Sequence, residues 1–177
     1  MNKIEEKVLA LALKHTPSVE VLYDEGETRS VSFENNKLKY VNTKSIRGIG
    51  LRVIKDGRIG FSSTTDFRKP EKLVANAIES AKFGQTAAFE FPPKKNFPKV
   101  AIFDQGVVDY PIHKCVDIGK EAIEKALSVN SSYECSIGMG KGHGMRRLIN
   151  SKGLDISIDS TSFGIGIEIL EVKGQSL

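Results

Sequence analysis

Tryptophan is absent from this 177-residue chain, histidine occurs three times and cysteine twice. Each shortage excludes a class of chemistry. Cys115 and Cys135, with 19 residues between them, make neither a disulfide framework nor a metal knuckle. His15, His113 and His143 stand far apart, and none has a second histidine three to five residues away or a glutamate beside it. His113 and Cys115 fall two apart on a helical pattern, which points them about 200° apart, so they cannot share a metal locally. No segment nears the ~20 consecutive apolar residues of a membrane helix. The charged start Met1-Asn2-Lys3-Ile4-Glu5-Glu6-Lys7 has no apolar run of the kind a signal peptide needs. The expectation is a reduced, cytoplasmic setting and no membrane.

What the chain does hold is an ordinary globular mixture, 40% hydrophobic and 27% charged, which excludes extensive disorder and fibrous repeats. Its net charge of +4 is uneven: residues 1–88 carry 15 Lys/Arg against 11 Asp/Glu, and the remainder 11 against 11. Between Lys37 and Arg58, seven cations (Lys37, Lys39, Lys44, Arg47, Arg52, Lys55, Arg58) face only Asp56. Such a stretch can steer a polyanion. The plainer reading is a basic strand that resists edge-to-edge aggregation.

Hydrophobic period divides the chain. Ile4, Val8, Leu11, Ala12 and His15 share one helical face, with Asn2 as cap and Thr16-Pro17 as terminator. The period then falls to two. Val19, Val21 and Tyr23 precede a turn at Glu25-Gly26, and Val31 and Phe33 precede a hairpin at Asn35-Asn36. Leu38 and Tyr40 mark the next strand, then Ile49, Leu51 and Val53. Asp56-Gly57 is a second hairpin turn before Ile59 and Phe61, giving about five strands in an antiparallel meander. Ser62-Ser63-Thr64-Thr65-Asp66 reads as a helix-capping strand end. A helix follows, with Pro70 in its first turn, Leu73, Val74, Ala77, Ile78 and Ala81 as its buried stripe, and Gly84 as its stop.

Residues 1–88 are therefore expected to form an α+β domain, with helices packed on one face of the sheet. Residues 89–99, with Pro92, Pro93, Pro98 and interspersed phenylalanines, read as a semi-rigid linker. Residues 100–177 read as a second α+β unit: a helix along Ile112, Cys115, Val116, Gly119, Ala122, Ile123, Ala126 and Leu127, then strands near 133–139, 145–150, 154–160 and 163–172. The last of these is expected to pair with the one before it. At an offset of 116, Leu38-x-Tyr40 and Ser45-Ile46-Arg47-Gly48-Ile49-Gly50-Leu51-x-Val53 match Leu154-x-Ile156 and Thr161-Ser162-Phe163-Gly164-Ile165-Gly166-Ile167-x-Ile169. A duplicated helix-plus-sheet unit is the simplest source of that match.

Reactive groups are hard to find. Gly138-Met139-Gly140-Lys141-Gly142-His143-Gly144 fits neither phosphate-binding glycine motif, and no helical pattern follows it. It reads as a flexible hairpin tip, or as a strand with one flank kept bare. The pairs Gly48/Gly50 and Gly164/Gly166 each share a sheet face, flat enough to admit a helix or an extended peptide. No G-x-S-x-G elbow is present, and Cys115 on an apolar stripe is placed as an inert thiol. No catalytic, cofactor-binding or metal residue is assigned.

Several of these segments together resemble a known family. They are Ser18-Val19-Glu20-Val21, Ser30-Val31-Ser32-Phe33-Glu34-Asn35-Asn36-Lys37-Leu38, Ser45-Ile46-Arg47-Gly48-Ile49-Gly50-Leu51-Arg52-Val53 and Asp56-Gly57-Arg58-Ile59-Gly60-Phe61-Ser62-Ser63-Thr64. The run is similar to the first domain of the TldD/PmbA family of metallopeptidases, also called modulators of DNA gyrase. Residues 100–177 resemble the start of its middle domain. The resemblance implies peptide processing, partnership with another family protomer as a homo- or heterodimer, and an extended peptide as substrate. TldD-like members bind zinc through a later His-Glu-x-x-x-His motif and a cysteine nearer the C-terminus. No position here matches that motif, so no cofactor is assigned to this chain, and zinc is expected only in a full-length TldD-like protein. The expectation is a truncated, catalytically inactive N-terminal portion that serves assembly and substrate admission. The alternatives are a nucleic-acid- or polyanion-binding module built on residues 37–58, and an interaction protein completed by a partner.

Overall fold

The computed structural model describes residues 3–171. Four helices and five strands follow in the order α1 (Ile4–Ala12), β1 (Ser18–Glu34), β2 (Lys37–Lys55), β3 (Arg58–Thr64), α2 (Pro70–Ala81), α3 (Gln105–Asp109), α4 (Ile112–Val129), β4 (Tyr133–Asn150) and β5 (Asp155–Glu171). The strands form one antiparallel sheet in the order β3-β2-β1-β4-β5, so the α+β class holds.

Four strands are longer than the sequence pattern suggests. The expected turn at Glu25-Gly26 is continuous strand within β1. A Cβ on Gly26 would lie 3.0 Å from the carbonyl oxygen of His143. Glycine is used there for close backbone approach, not for turning. The two strands expected over 38–53 are one strand, β2, and the four expected after 133 are two, β4 and β5. The stretches near 154–160 and 163–171 therefore cannot pair, since both belong to β5. Residue 172, like the Asn2 cap, lies outside the described residues. The two-residue turns do stand where glycine and asparagine placed them: Asn35 (φ 49°), Asn36 (φ 64°), Asp56 (φ 51°) and Gly57 (φ 73°) all adopt the left-handed backbone that tight hairpins demand.

Backbone proximity divides the molecule into two compact units, each discontinuous in sequence: residues 1–25, 46–101 and 145–159, and residues 26–45, 102–144 and 160–177. In the first unit, alternate strand residues Val19, Val21, Ile49, Leu51, Val53 and Ile149 face Val8 and Ala12 of α1 and Leu73, Val74, Ala77 and Ala81 of α2. Each of the valine, leucine and isoleucine side chains, withdrawn from water, contributes roughly 1.5–3 kcal/mol. In the second unit Val31, Phe33, Cys135, Ile137 and Met139 pack on Cys115 and Ile123 of α4. The Phe33 ring lies so close to the helix that a Cβ on Gly119 would come within 2.2 Å of it.

The offset of 116 also carries whole elements. Shifted by it, 18–34 becomes 134–150, which is β4 less its first residue, and 37–55 becomes 153–171, which ends with β5. The span of α1 falls inside α4. In the sheet, β2-β1 and β4-β5 are mirror-ordered hairpins about the β1–β4 junction.

Candidate peptide groove of the first unit

In the first unit the strand residues of opposite parity face away from α1 and α2. Glu20, Leu22 and Asp24 of β1, Gly48, Gly50 and Arg52 of β2, Phe61 and Ser63 of β3, and Leu148 of β4 line a groove of about 920 Å³. Its floor is flat because Gly48 and Gly50 present no side chain. A Cβ on Gly50 would touch the Phe61 ring at 3.5 Å, and one on Gly48 would sit 3.7 Å from the Thr64 carbonyl oxygen. Leu22, Leu148 and the exposed Phe61 supply apolar surface, and Ser63, Thr64 and Thr65 supply hydroxyls on one side.

The charges of the groove are paired. The guanidinium of Arg52 bonds the nearly buried carboxylate of Glu20, and Arg146 donates to Asp24 at 2.9 Å. The proline-containing segment reaches this place: Arg52 lies 5.4 Å and 5.3 Å from the ring centres of Phe89 and Phe91, which meet edge-on. Phe91 is buried, the Pro92 carbonyl accepts from the Asn150 side chain at 2.8 Å, and Glu90 pairs with Lys152. Phe91 thus anchors the segment, while Phe89 and Phe97 stay exposed.

The groove therefore has an apolar floor, a hydroxyl rim and paired charges. Among the described residues no group of three or more His, Cys, Asp or Glu is placed to hold a metal. The neighbouring edge of β3 is also occupied. Phe61 donates its N–H to Ser80 Oγ at 2.8 Å, Ile59 donates to the Gln85 carbonyl at 2.9 Å, and Ala87 donates to the Gly57 carbonyl at 2.8 Å. The backbone at residues 57–61 is therefore not open to an added strand.

The other singled-out residues fall elsewhere. Asp66 does not cap α2: its carboxylate takes the guanidinium and then the backbone N–H of Arg68, which draw its pKa down to about 2, while the helix N-cap Lys69 makes no side-chain cap bond. Gly138–Gly144 is interior β4, not a hairpin tip. Within it, Lys141 is buried, and its Nζ donates to the carbonyls of Val107 and Val108 at 3.1 and 2.5 Å. Cys115 is fully buried, and burial pushes its thiol pKa up, as an inert core thiol requires. His15, His113 and His143 are all exposed.

The basic stretch is dispersed. Lys39 pairs with Glu34, Arg52 with Glu20, Arg47 stacks on Phe67 at 4.7 Å, and Lys55 and Arg58 bond the carbonyls of His15 and Gly84. Of this site, only the glycine pair was legible in the sequence. The remaining lining residues carry the ordinary outward-facing pattern of any strand.

The family model for domain 1 of the PmbA/TldA metallopeptidases matches residues 19–81. An uncharacterised protein of Methanocaldococcus jannaschii, MJ0231, is 30% identical over 165 residues, covering 93% of this chain and 39% of its own length. TldE from Thermococcus kodakarensis has the same fold, with a TM-score of 0.87 at 18% identity over 98% of this chain and 40% of that one. So does a candidate modulator of DNA gyrase from Bacteroides thetaiotaomicron, at 0.85 and 19% over 98% and 41%. The chain thus spans about two fifths of the length of these relatives.

Proposed function

The chain belongs to the TldD/PmbA family, carrying its first domain over residues 19–81, and on that premise we propose that it is a non-catalytic N-terminal portion of such a metallopeptidase. It serves assembly with a second family protomer and admission of a peptide substrate in the cytoplasm, with proteolysis performed by parts of the protein beyond these residues. In this reading residues 1–88 are the first domain, 89–99 the connector and 100–177 the start of the middle domain. The observation that supports it is the groove of about 920 Å³, floored by Gly48 and Gly50. A peptide laid on that floor gains apolar burial against Leu22, Leu148 and Phe61, at roughly 25 cal/mol per Å², and finds hydroxyls at Ser63 and Thr65.

Fluorescence anisotropy with a labelled, apolar, extended decapeptide tests the reading. Binding is expected to fall at least tenfold for Gly50→Leu, which fills the floor, and to be unchanged for Gly164→Leu in the second unit. Equal binding by all three proteins overturns the groove assignment. Metal analysis of the purified chain is expected to show no stoichiometric zinc, and incubation with casein no cleavage. Tight one-to-one zinc overturns the non-catalytic assignment.

A further inference from the structure

The proline-containing segment after α2 crosses the groove face of the first unit's sheet. It starts on β3, where Ile59 donates its N–H to the Gln85 carbonyl at 2.9 Å and Ala87 donates to the Gly57 carbonyl at 2.8 Å. It finishes at the C-terminal end of β4. There the Asn150 side chain donates to the Pro92 carbonyl at 2.8 Å, and Lys94 donates its N–H to the Lys152 carbonyl at 3.3 Å. β2 and β1 lie between those two strands. Midway, the rings of Phe89 and Phe91 meet the Arg52 guanidinium at 5.4 and 5.3 Å. Burial of Phe91 and the Glu90–Lys152 ion pair fasten the crossing.

This segment closes the groove at one end. Arg52 is the last residue of β2 to line the groove, and Glu20 is the first of β1. The bare track over Gly48 and Gly50 follows β2 to Arg52. A peptide following that track meets the crossing segment and stops, so what reaches Arg52 is a chain end. Of the two charges there, a ligand meets Arg52, whose side chain is 44% exposed, whereas that of Glu20 is 9% exposed. Among the described residues the guanidinium gives one hydrogen bond, to Glu20, and its other N–H groups remain for a ligand. Glu20 and the two rings hold its planar fork in place, which reduces the entropy lost on binding. Such a fork matches a carboxylate through two parallel N–H···O bonds. An ammonium arriving at the same place meets a like charge first.

We propose that the groove receives the carboxyl end of its peptide, with the terminal carboxylate on Arg52 and the preceding residues over Gly50 and Gly48. Glu20, Phe89 and Phe91 are positioning residues that act through Arg52. The inference rests on the reading of the groove as a peptide site and adds the class of substrate: free carboxyl ends, not internal stretches of an intact chain.

The test titrates the whole chain with one apolar decapeptide, labelled at its amino end, as the free acid and as the carboxyl-terminal amide. The amide is expected to bind about tenfold more weakly, through loss of a charge-assisted pair of hydrogen bonds. Arg52→Gln should weaken the free acid to the level of the amide and leave the amide nearly unchanged. Because that change strips Glu20 of its partner, Arg52→Gln combined with Glu20→Gln is measured beside it, with circular dichroism to establish the native fold. An amide that binds the unaltered chain as tightly as the acid overturns the proposal, whatever the variants do. So does an acid–amide difference that persists in the folded double variant, which would put the carboxylate elsewhere. Equal binding of the two forms that Gly50→Leu still weakens removes this proposal and leaves the groove reading standing. Absence of binding by either form removes both.

Discussion

Arg147 makes five hydrogen bonds to three carboxylates: Glu5 at 2.7 Å, Glu6 at 3.1 Å twice, and Asp155 at 2.8 and 2.9 Å. The side chains of Arg147 and Glu5 are 11% and 4% exposed, so the pair is withdrawn from water. Removing one partner strands the other. Arg147→Ala should therefore cost about 3–5 kcal/mol in urea unfolding, and the double change with Glu5→Leu should recover part of that loss. The guanidinium bonds hold the Asp155 carboxyl below its ordinary value. A depressed folded value means stability present above the unfolded pKa of about 4 and lost as pH falls through the folded one. Acid unfolding curves should show that loss, and Arg147→Ala should flatten it. Tyr23 titrates the other way. Burial, and then its 2.6 Å hydrogen bond to Glu25, raise its phenol to about 12. Stability should decline as pH rises from about 10, where the unfolded phenol ionises, towards the folded value. Tyr23→Phe should remove that decline, and phenolate absorbance reports it directly.

The elements show why some local signals were legible and others were not. Asn35-Asn36 and Asp56-Gly57 announce hairpins because positive φ is a property of two residues and needs no distant partner. Glu25-Gly26 looks the same in sequence, but its glycine answers to His143, more than a hundred residues away. The β3–α2 pair depends on such contacts. Gly60→Ala places a methyl 2.1 Å from the Ala77 carbonyl oxygen and 2.8 Å from the Ala81 side chain, so α2 must back off. A loss of about 1–3 kcal/mol is expected in thermal or chemical unfolding. Gly164→Ala and Gly166→Ala meet nothing within 4 Å and should leave the midpoint nearly unchanged. Equal effects at Gly60 and Gly164 would contradict the packing described for α2.

Across the molecule, the basic stretch 37–58 gives the clearest contrast between composition and surface. Five of its seven cations are engaged separately: Lys39 by Glu34, Arg52 by Glu20, Arg47 by the Phe67 ring, and Lys55 and Arg58 by the carbonyls of His15 and Gly84. Affinity for nucleic acid grows with the number of phosphates neutralised together. A labelled 20-base-pair duplex should therefore show no saturable binding at about 50 mM salt, and Lys39→Ala with Arg47→Ala should change nothing. Steep, salt-sensitive binding that these changes weaken would restore the polyanion reading.

Sequence alone determined the α+β class, the helix faces, the hairpin turns, the 116-residue repeat and the family resemblance. Each is written in period or in short motifs, over distances that a local backbone can enforce. It did not determine where strands merge, which glycines serve close approach, or how two compact units interleave along one chain, because those depend on partners remote in sequence. Nor could it distinguish Ile49-x-Leu51-x-Val53 from Ile165-x-Ile167-x-Ile169, which follow the same pattern. Only the tertiary structure decided that one is core and the other open surface, since burial depends on what lies beside a strand.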